Sequence, residues 1–105
     1  MDRQRRIDHH QWTQSHSVQK RMEKVSYCFT AMEPILFARR EMYRALGTDD
    51  AAKEICLSHL ESCRLARRAD HLETAWSSLV AARQLNVETV SVDMEESRYL
   101  FQKVN

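Results

Sequence analysis

Glycine and proline are nearly absent from this chain, which has one of each among its 105 residues. Average usage would supply roughly seven glycines and five prolines per hundred residues. Sheets need tight turns, and turns rely on these residues for their special backbone dihedrals. A single glycine also cannot build a P-loop or a glycine-rich dinucleotide fingerprint. The scarcity therefore excludes an all-β fold and both kinds of glycine-rich nucleotide site.

Long apolar runs and a surplus of charge of one sign are missing as well. No window approaches the roughly 18 apolar residues that a membrane span requires, and no apolar run follows the charged N-terminus as in a secretory signal. The formal net charge is +1 although 30% of the residues are charged, so the whole molecule has no electrostatic attraction to nucleic acid. Three cysteines without a secretory signal indicate reduced thiols. We expect an intracellular protein with neither membrane nor nucleic-acid partners.

Helical periodicity is what the sequence does contain. Apolar residues recur at spacings of four and three along a first predicted helix, which places them on one face. Pro34 is expected to end that helix and to occupy the first turn of a second helix, over 34–46, which Gly47 stops. The first face consists of Val18, Met22, Val25, Phe29 and Met32. The second consists of Ile35, Leu36, Ala38, Met42, Tyr43, Ala45 and Leu46.

Three further helices follow the same spacing rules. A third begins after Thr48, a fourth begins with an Asp70–Glu73 capping box, and Asn86 opens a fifth. The third presents Ala52, Ile55, Cys56, His59, Leu60, Cys63 and Ala66. The fourth presents Leu72, Ala75, Trp76, Leu79 and Val80, and the fifth presents Val87, Val90, Met94, Ser97, Phe101 and Val104. Short loops imply antiparallel hairpins. The prediction is an all-α fold of about five amphipathic helices, stacked as a solenoid fragment or closed as a small bundle.

Arg39 is the least expected charge in the pattern because it falls inside the apolar stripe of the second predicted helix. A guanidinium there needs a carboxylate or a set of carbonyls, since an unpaired buried charge is unfavourable. We therefore expect Arg39 to be at least partly buried and bound to another helix. Glu33 is not placed for a simple i, i+4 pair with it, and Arg40 is expected on the solvent side.

Cys56, His59 and Cys63 are the candidates for chemistry, because spacings of three and four place them on one helical face. They could share a Zn²⁺ ion with His16 or His71 as a fourth ligand. They could instead fill a tight helix–helix seam, since cysteine is among the most buried residue types. No second ligand pair is visible, and no carboxylate is placed to orient a Cys/His nucleophile. We therefore predict no metal, no cofactor and no catalytic residue.

Three segments carry a family resemblance. Met32–Arg40 is similar to an E-P-I-L-x-x-R-R helix start, Cys63–Trp76 to an A-R-K-A-G-H-x-x-T-A segment, and Glu96–Phe101 to an E-x-A-K-x-L-W stretch. Together and in this order they resemble the FAT domain of the phosphatidylinositol-3-kinase-related protein kinases, most closely the ATR-type checkpoint kinases. The resemblance covers nearly everything from Trp12 onward. Asp70 stands where the family usually has glycine.

We expect a polar lead-in over 1–11, and the resemblance implies a segment of a TPR- or HEAT-like α-solenoid over 12–105. Such a solenoid would cradle a kinase domain lying further along a nuclear DNA-damage checkpoint protein. Its partners would be that kinase domain and neighbouring repeats. This chain itself lacks every kinase motif, so it is expected to be a scaffold and no enzyme. The matched structural residues are Glu33, Pro34, Arg39, Arg40, Arg67, Arg68, His71 and Thr74. The alternatives are a free-standing helical adaptor that binds a partner helix, or a Cys/His metal protein.

Overall fold

The computed structural model describes the backbone of residues 2–104 and the side chains of 19–21, 23–24 and 27–104. Over this range the chain is all-helical, which confirms the predicted fold class. Its helices are α1 (Asp2–Leu46), α2 (Ala51–Arg68), α3 (Leu72–Gln84) and α4 (Thr89–Val104). The predicted boundary between residues 11 and 12 lies within α1, where the side chains are outside the described set, and it stays a prediction.

The first two predicted helices form one helix, so the expected break at Pro34 is wrong. α1 contains 45 residues with Pro34 in its interior, and at about 1.5 Å per residue it accounts for the 69 Å long axis of the molecule. Proline in a helix interior costs about 3 kcal/mol. Pro34 lies on the exposed side of α1. The buried face runs past it without interruption.

The continuous helix also changes which side of α1 faces inward. Leu36 and Arg40 are buried and Tyr43 is half-buried, so the inner face continues from Met32 at spacings of four, four and three. Ile35 and Met42, which were expected in the core, are about half exposed. Val18, Met22 and Val25 lie outside the described side chains.

The core lies where α2, α3 and α4 meet. α2 and α3 approach each other closely because small side chains line their seam. This confirms the central part of the inward faces that were predicted for the third and fourth helices, which are α2 and α3. Trp76 and Val80, which were predicted on the inward face of α3, are exposed. The buried cluster contains Cys56, Leu60, Cys63, Ala66, Ala75, Leu79, Ala82, Val92 and Tyr99.

α4 turns the opposite side inward from the one expected. Val92, Glu95 and Tyr99 are buried, whereas Val90 is 71% and Val104 is 82% exposed. The predicted stripe, which also included Met94 and Phe101, is therefore the outer face of α4, and that prediction is wrong except for Val87, which precedes the helix and packs against the core. The regular spacing of this stripe gave the stronger apolar signal because the true inner face carries a carboxylate, Glu95.

Three helices end on residues in the left-handed conformation. Gly47 (φ 59°) ends α1 as expected, whereas Asn86 (φ 54°) ends α3 and does not open the last helix. Asp70 (φ 62°) follows α2, where the backbone N–H of His71 donates to the carbonyl of Ala66 and that of Asp70 donates to the carbonyl of Arg67. These two bonds form a Schellman motif. Asp70 is thus a helix terminator, and the predicted capping box is wrong because no side chain caps α3.

The helices pack stepwise. α1 packs on α2, α2 on α3 and α3 on α4, and α4 also contacts α2. Short connections make successive helices antiparallel, in agreement with the predicted hairpins. Every helix within residues 2–104 is too short or too polar to span a lipid bilayer.

Candidate interaction surfaces

Arg40 joins α1 to α2 through a buried polar cluster. Arg40 is 6% exposed, and its Nη1 donates to the Oγ atoms of Ser58 (3.1 Å) and Ser62 (3.0 Å) on α2. Its Nη2 donates to Glu33 Oε1 at 3.3 Å. The expectation for the double arginine is therefore inverted: Arg40 is the buried guanidinium, and Arg39 is exposed.

The inversion follows from the course of α1 through Pro34. Glu33 and Arg40 are seven residues apart, which places them on one face of a continuous helix, two turns from each other. If a new helix began at Pro34, its inward face would be displaced by one residue, and Arg39 would lie on that face in place of Arg40. The alternation of four and three in the first stripe, continued beyond Met32, leads to Leu36 and then to Arg39. Arg40 stands four residues after Leu36, so the spacing alone does not select it.

His59 lies close to the same cluster. Its pKa is lowered from 6.5 to about 4, first by burial and then by the positive charges of Arg40 and Arg44, with Glu33 acting in the opposite direction. A cation placed beside two guanidiniums and away from water is unfavourable. His59 is therefore neutral in the folded protein at physiological pH.

The two cysteines of α2 are buried thiols. The Cys56 S–H group donates to the carbonyls of Ala82 and Val87 at 3.6 Å each. Burial raises the pKa of Cys56, and burial together with the charge of Glu95 raises the pKa of Cys63 to about 11. Neither thiol ionises near neutral pH, and this protects both from oxidation and alkylation.

The proposed zinc ligands do not assemble within the described side chains, where no group of three or more His, Cys, Asp or Glu residues could hold a metal ion. Cys56 contacts carbonyls of α3 and the α3–α4 loop, whereas His59 lies beside the charges of α1. His71 stacks on Phe29 with ring centroids 5.0 Å apart. His16 lies outside the described side chains.

Glu95 is the centre of a second buried cluster, which the sequence analysis did not identify. Its side chain is 2% exposed and is surrounded by arginines: Arg67 Nε at 3.1 Å from Oε1, Arg98 Nη1 at 3.4 Å and Arg64 Nε at 4.0 Å from Oε2. Because a buried carboxylate needs such partners, the cluster fixes α4 against α2. The sequence contained one indication of this cluster. Arg64 and Arg67 are three residues apart on α2, and Glu95 is the acidic residue on the inner side of α4.

Arg67 belongs to this cluster and also connects to the C-terminal part of α4. Its Nη1 donates to Gln102 Oε1 at 3.3 Å, and Gln102 Nε2 donates back to the Arg67 carbonyl at 2.7 Å. Among the other matched motif residues, His71 links the α2–α3 turn to α1 through Phe29. Pro34, Arg68 and Thr74 are exposed.

The outermost helices expose apolar side chains. On α1 the exposed set includes Tyr27, Ile35, Met42 and Leu46. On α4 it includes Val90, Met94 and Val104. We call these sets the outer face of α1 and the outer face of α4. Exposed apolar residues that recur on one helical face mark a surface suited to another protein segment.

A groove runs along α4 between its outer face and α2. One cavity, of about 440 Å³, is lined by Leu57 and Arg64 of α2 and by Met94 and Arg98 of α4. A second, of about 590 Å³, shares Arg98 and extends to Phe101. We call the two together the α2–α4 groove. Its length and mixed lining suit a protein segment better than a small metabolite.

Among known proteins, neither a family model nor a solved structure matches this chain.

Proposed function

We propose that this chain is a helical scaffold segment of an ATR-like serine/threonine protein kinase of the DNA-damage checkpoint. It makes intramolecular and protein–protein contacts and catalyses nothing itself. The observation that carries the proposal is the outer face of α4, where Val90, Met94 and Val104 recur at helical spacing and are exposed. In a solenoid, such a face is buried when the next helical pair stacks on it.

The opposite end of the stack supports the same role. α1 has an inner face against α2 and also an outer apolar face that includes Ile35 and Met42. A closed bundle has one apolar side per helix, whereas a repeat inside a solenoid has two. Stepwise packing with apolar faces at both ends is the arrangement of a solenoid segment.

Several residues of the resemblance make contacts that suit a scaffold. Arg40, paired with Glu33 on its own helix, connects α1 to α2, and Arg67 connects α2 to α4. Asp70 occupies a left-handed position, which is the conformation that glycine, the usual family residue there, adopts most easily. Under this proposal the chain acts in the nucleus, and its partners are neighbouring repeats and the kinase domain of the same polypeptide.

The complete native transcript tests this proposal. We expect an open reading frame that continues for several hundred codons and encodes a kinase domain with its nucleotide-binding and catalytic motifs. A transcript that encodes no kinase domain would contradict it and favour a free-standing adaptor.

The adaptor is the second candidate, and the α2–α4 groove is the observation that favours it. A groove between two helices can accept the apolar face of a partner helix without any neighbouring repeat. The adaptor predicts a short reading frame and a monomer whose α4 face is free until its partner binds. The third hypothesis, a Cys/His metal protein, gains no support from the packing of Cys56 and Cys63.

A further inference from the structure

The α2–α4 groove is built from two matching rows of side chains. On α2, Leu57, Leu60 and Arg64 follow one another at helical spacing, and on α4 Ser91, Met94 and Arg98 do the same. Arg67 and Phe101 extend the two rows by about one turn. At about 1.5 Å per residue the rows run for roughly 15 Å, which is the length of about ten helical residues.

The lining of the groove is mixed: it holds apolar side chains, two exposed arginines, the half-buried Glu61 and the buried Glu95, whose charge Arg67 neutralises. Leu57 and Met94 are exposed in this lining, so a partner could bury apolar area there. Arg64 and Arg98 form the rim with 43% and 51% of their side chains exposed.

The rim guanidiniums have donors to spare. Each guanidinium carries five N–H groups, yet Arg98 makes one 3.4 Å hydrogen bond to Glu95, and Arg64 approaches the same carboxylate only to 4.0 Å. Glu95 is already bound at 3.1 Å by Arg67. One buried carboxylate thus serves three arginines, and the unused donors of two of them are available at the groove.

We propose that the α2–α4 groove binds an acidic amphipathic helix. Apolar side chains of that helix lie on Leu57 and Met94, and its flanking carboxylates accept hydrogen bonds from Arg64 and Arg98. The inference rests on a proposed role in helix–helix contacts, which the scaffold and the adaptor share, and it specifies the chemistry of the helix that covers this side of α4. Paired carboxylates are the geometric match of the guanidinium fork.

Charge argues against a second copy of this chain as the occupant. The outer face of α1 is the chain's other large apolar surface, and Lys24 and Arg39 flank it within the described side chains. Docking that face in the groove would bring these cations towards Arg64 and Arg98, and like charges across an interface are unfavourable. An acidic helix brings attraction in place of repulsion.

Two synthetic helical peptides test the proposal against the full 105-residue chain. Both have about 18 residues and an identical leucine face, and they differ only in flanking residues, glutamate in one and lysine in the other. Binding is measured by fluorescence anisotropy at low ionic strength, where charge contacts are screened least. We expect the glutamate peptide to bind at least about tenfold more tightly, from the sum of a few partly exposed ion pairs.

Variants locate the binding site. Arg98→Gln, alone and with Arg64→Gln, should reduce the preference for the glutamate peptide to less than about threefold, and Met94→Asp should weaken binding of that peptide at least about tenfold. Arg83→Gln is the matched control, because Arg83 is an equally exposed arginine that pairs with Asp93 and Glu96 outside the groove. It should leave the preference unchanged. Helical circular dichroism verifies that each variant is folded.

Several results would overturn the proposal. These are absence of binding, equal affinity for the two peptides, preference for the lysine peptide, or a preference that survives Arg64→Gln/Arg98→Gln. Concentration-dependent dimerisation that Met94→Asp abolishes would assign the groove to a second copy and overturn it too. None of these outcomes changes the length of the native reading frame, so failure here is distinguishable from failure of the scaffold proposal.

Discussion

Arg40 and Glu33 form an ion pair across two turns of α1, with Nη2 and Oε1 3.3 Å apart. The same guanidinium reaches Ser58 and Ser62 of α2. One side chain therefore fixes both the rotation of α1 about its axis and its position along α2. The second oxygen of Glu33 is buried without a hydrogen-bond partner among the described groups, so the pair depends entirely on Arg40.

Replacing Arg40 should therefore destabilise the fold. Arg40→Met retains much of the aliphatic stem but leaves Glu33 and two serine hydroxyls without their donor, and we expect a loss of about 1–3 kcal/mol in the free energy of unfolding. Arg39→Met, at the neighbouring exposed position, should cost less than about 0.5 kcal/mol. Urea unfolding of both variants measures the contrast. Equal effects would show that Arg40 contributes nothing specific to the α1–α2 contact.

The Glu95 cluster should be as important for the position of α4. Glu95→Gln keeps the shape of the side chain but removes the charge that three arginines surround, and we expect it to cost about 1–3 kcal/mol. Asp93→Asn is the control, because Asp93 is exposed and pairs with Arg83 at the surface, where ion pairs contribute about 0–1 kcal/mol. Thermal unfolding monitored by circular dichroism measures both. A Glu95 variant as stable as the Asp93 variant would contradict this role.

His59 should make stability depend on pH. Its folded pKa is about 4, whereas the unfolded chain titrates near 6.5. Between these values the unfolded state binds more protons, so the contribution of His59 is fully present above about pH 6.5 and is lost as the pH falls towards 4. We expect the urea midpoint to fall between about pH 7.5 and pH 5.5, and to fall less in His59→Gln. An identical fall in both proteins would assign the dependence to other groups.

The three cysteines should differ sharply in reactivity. Cys28 is exposed, whereas Cys56 and Cys63 are buried, and the pKa of each buried thiol is raised. With an excess of a chromogenic disulfide reagent at neutral pH, the folded chain should release one equivalent rapidly and two more only on unfolding. Cys28→Ser should abolish the rapid phase. Rapid reaction of all three thiols would show that the α2–α3 seam is open.

The sequence predicts the middle of this fold better than its edges. For α2 and α3 the apolar spacing identifies the seam around Cys56, Cys63, Ala75 and Leu79, because these helices are packed on several sides and burial follows apolar character there. α1 and α4 are packed along fewer sides and expose apolar stripes. On such helices the most regular stripe does not have to be the inner one.

Charged residues on the inner faces of α1 and α4 made those faces difficult to recognise from the sequence. The inward positions include Arg40 on α1 and Glu95 on α4, and each charge is buried only because a partner on another helix neutralises it or accepts its hydrogen bonds. A single sequence does not reveal such a partner until the register is known. Pro34 made α1 harder to predict, because a proline normally indicates a helix end. Here the free-energy cost of proline inside the helix is smaller than the stabilisation from packing along the whole helix.

We expect the outer face of α4 to be covered by another helix in the native assembly, and site-specific photocrosslinking at that face tests this expectation. A photoreactive phenylalanine analogue replaces Met94 on that face or, as the control, Ser77, which is exposed on α3. Crosslinked peptides are then identified by mass spectrometry from cells that express the native protein. We predict that position 94 crosslinks to one defined helical segment of the same polypeptide, well above the level at position 77. Crosslinking at position 94 no higher than at position 77 would contradict the scaffold role.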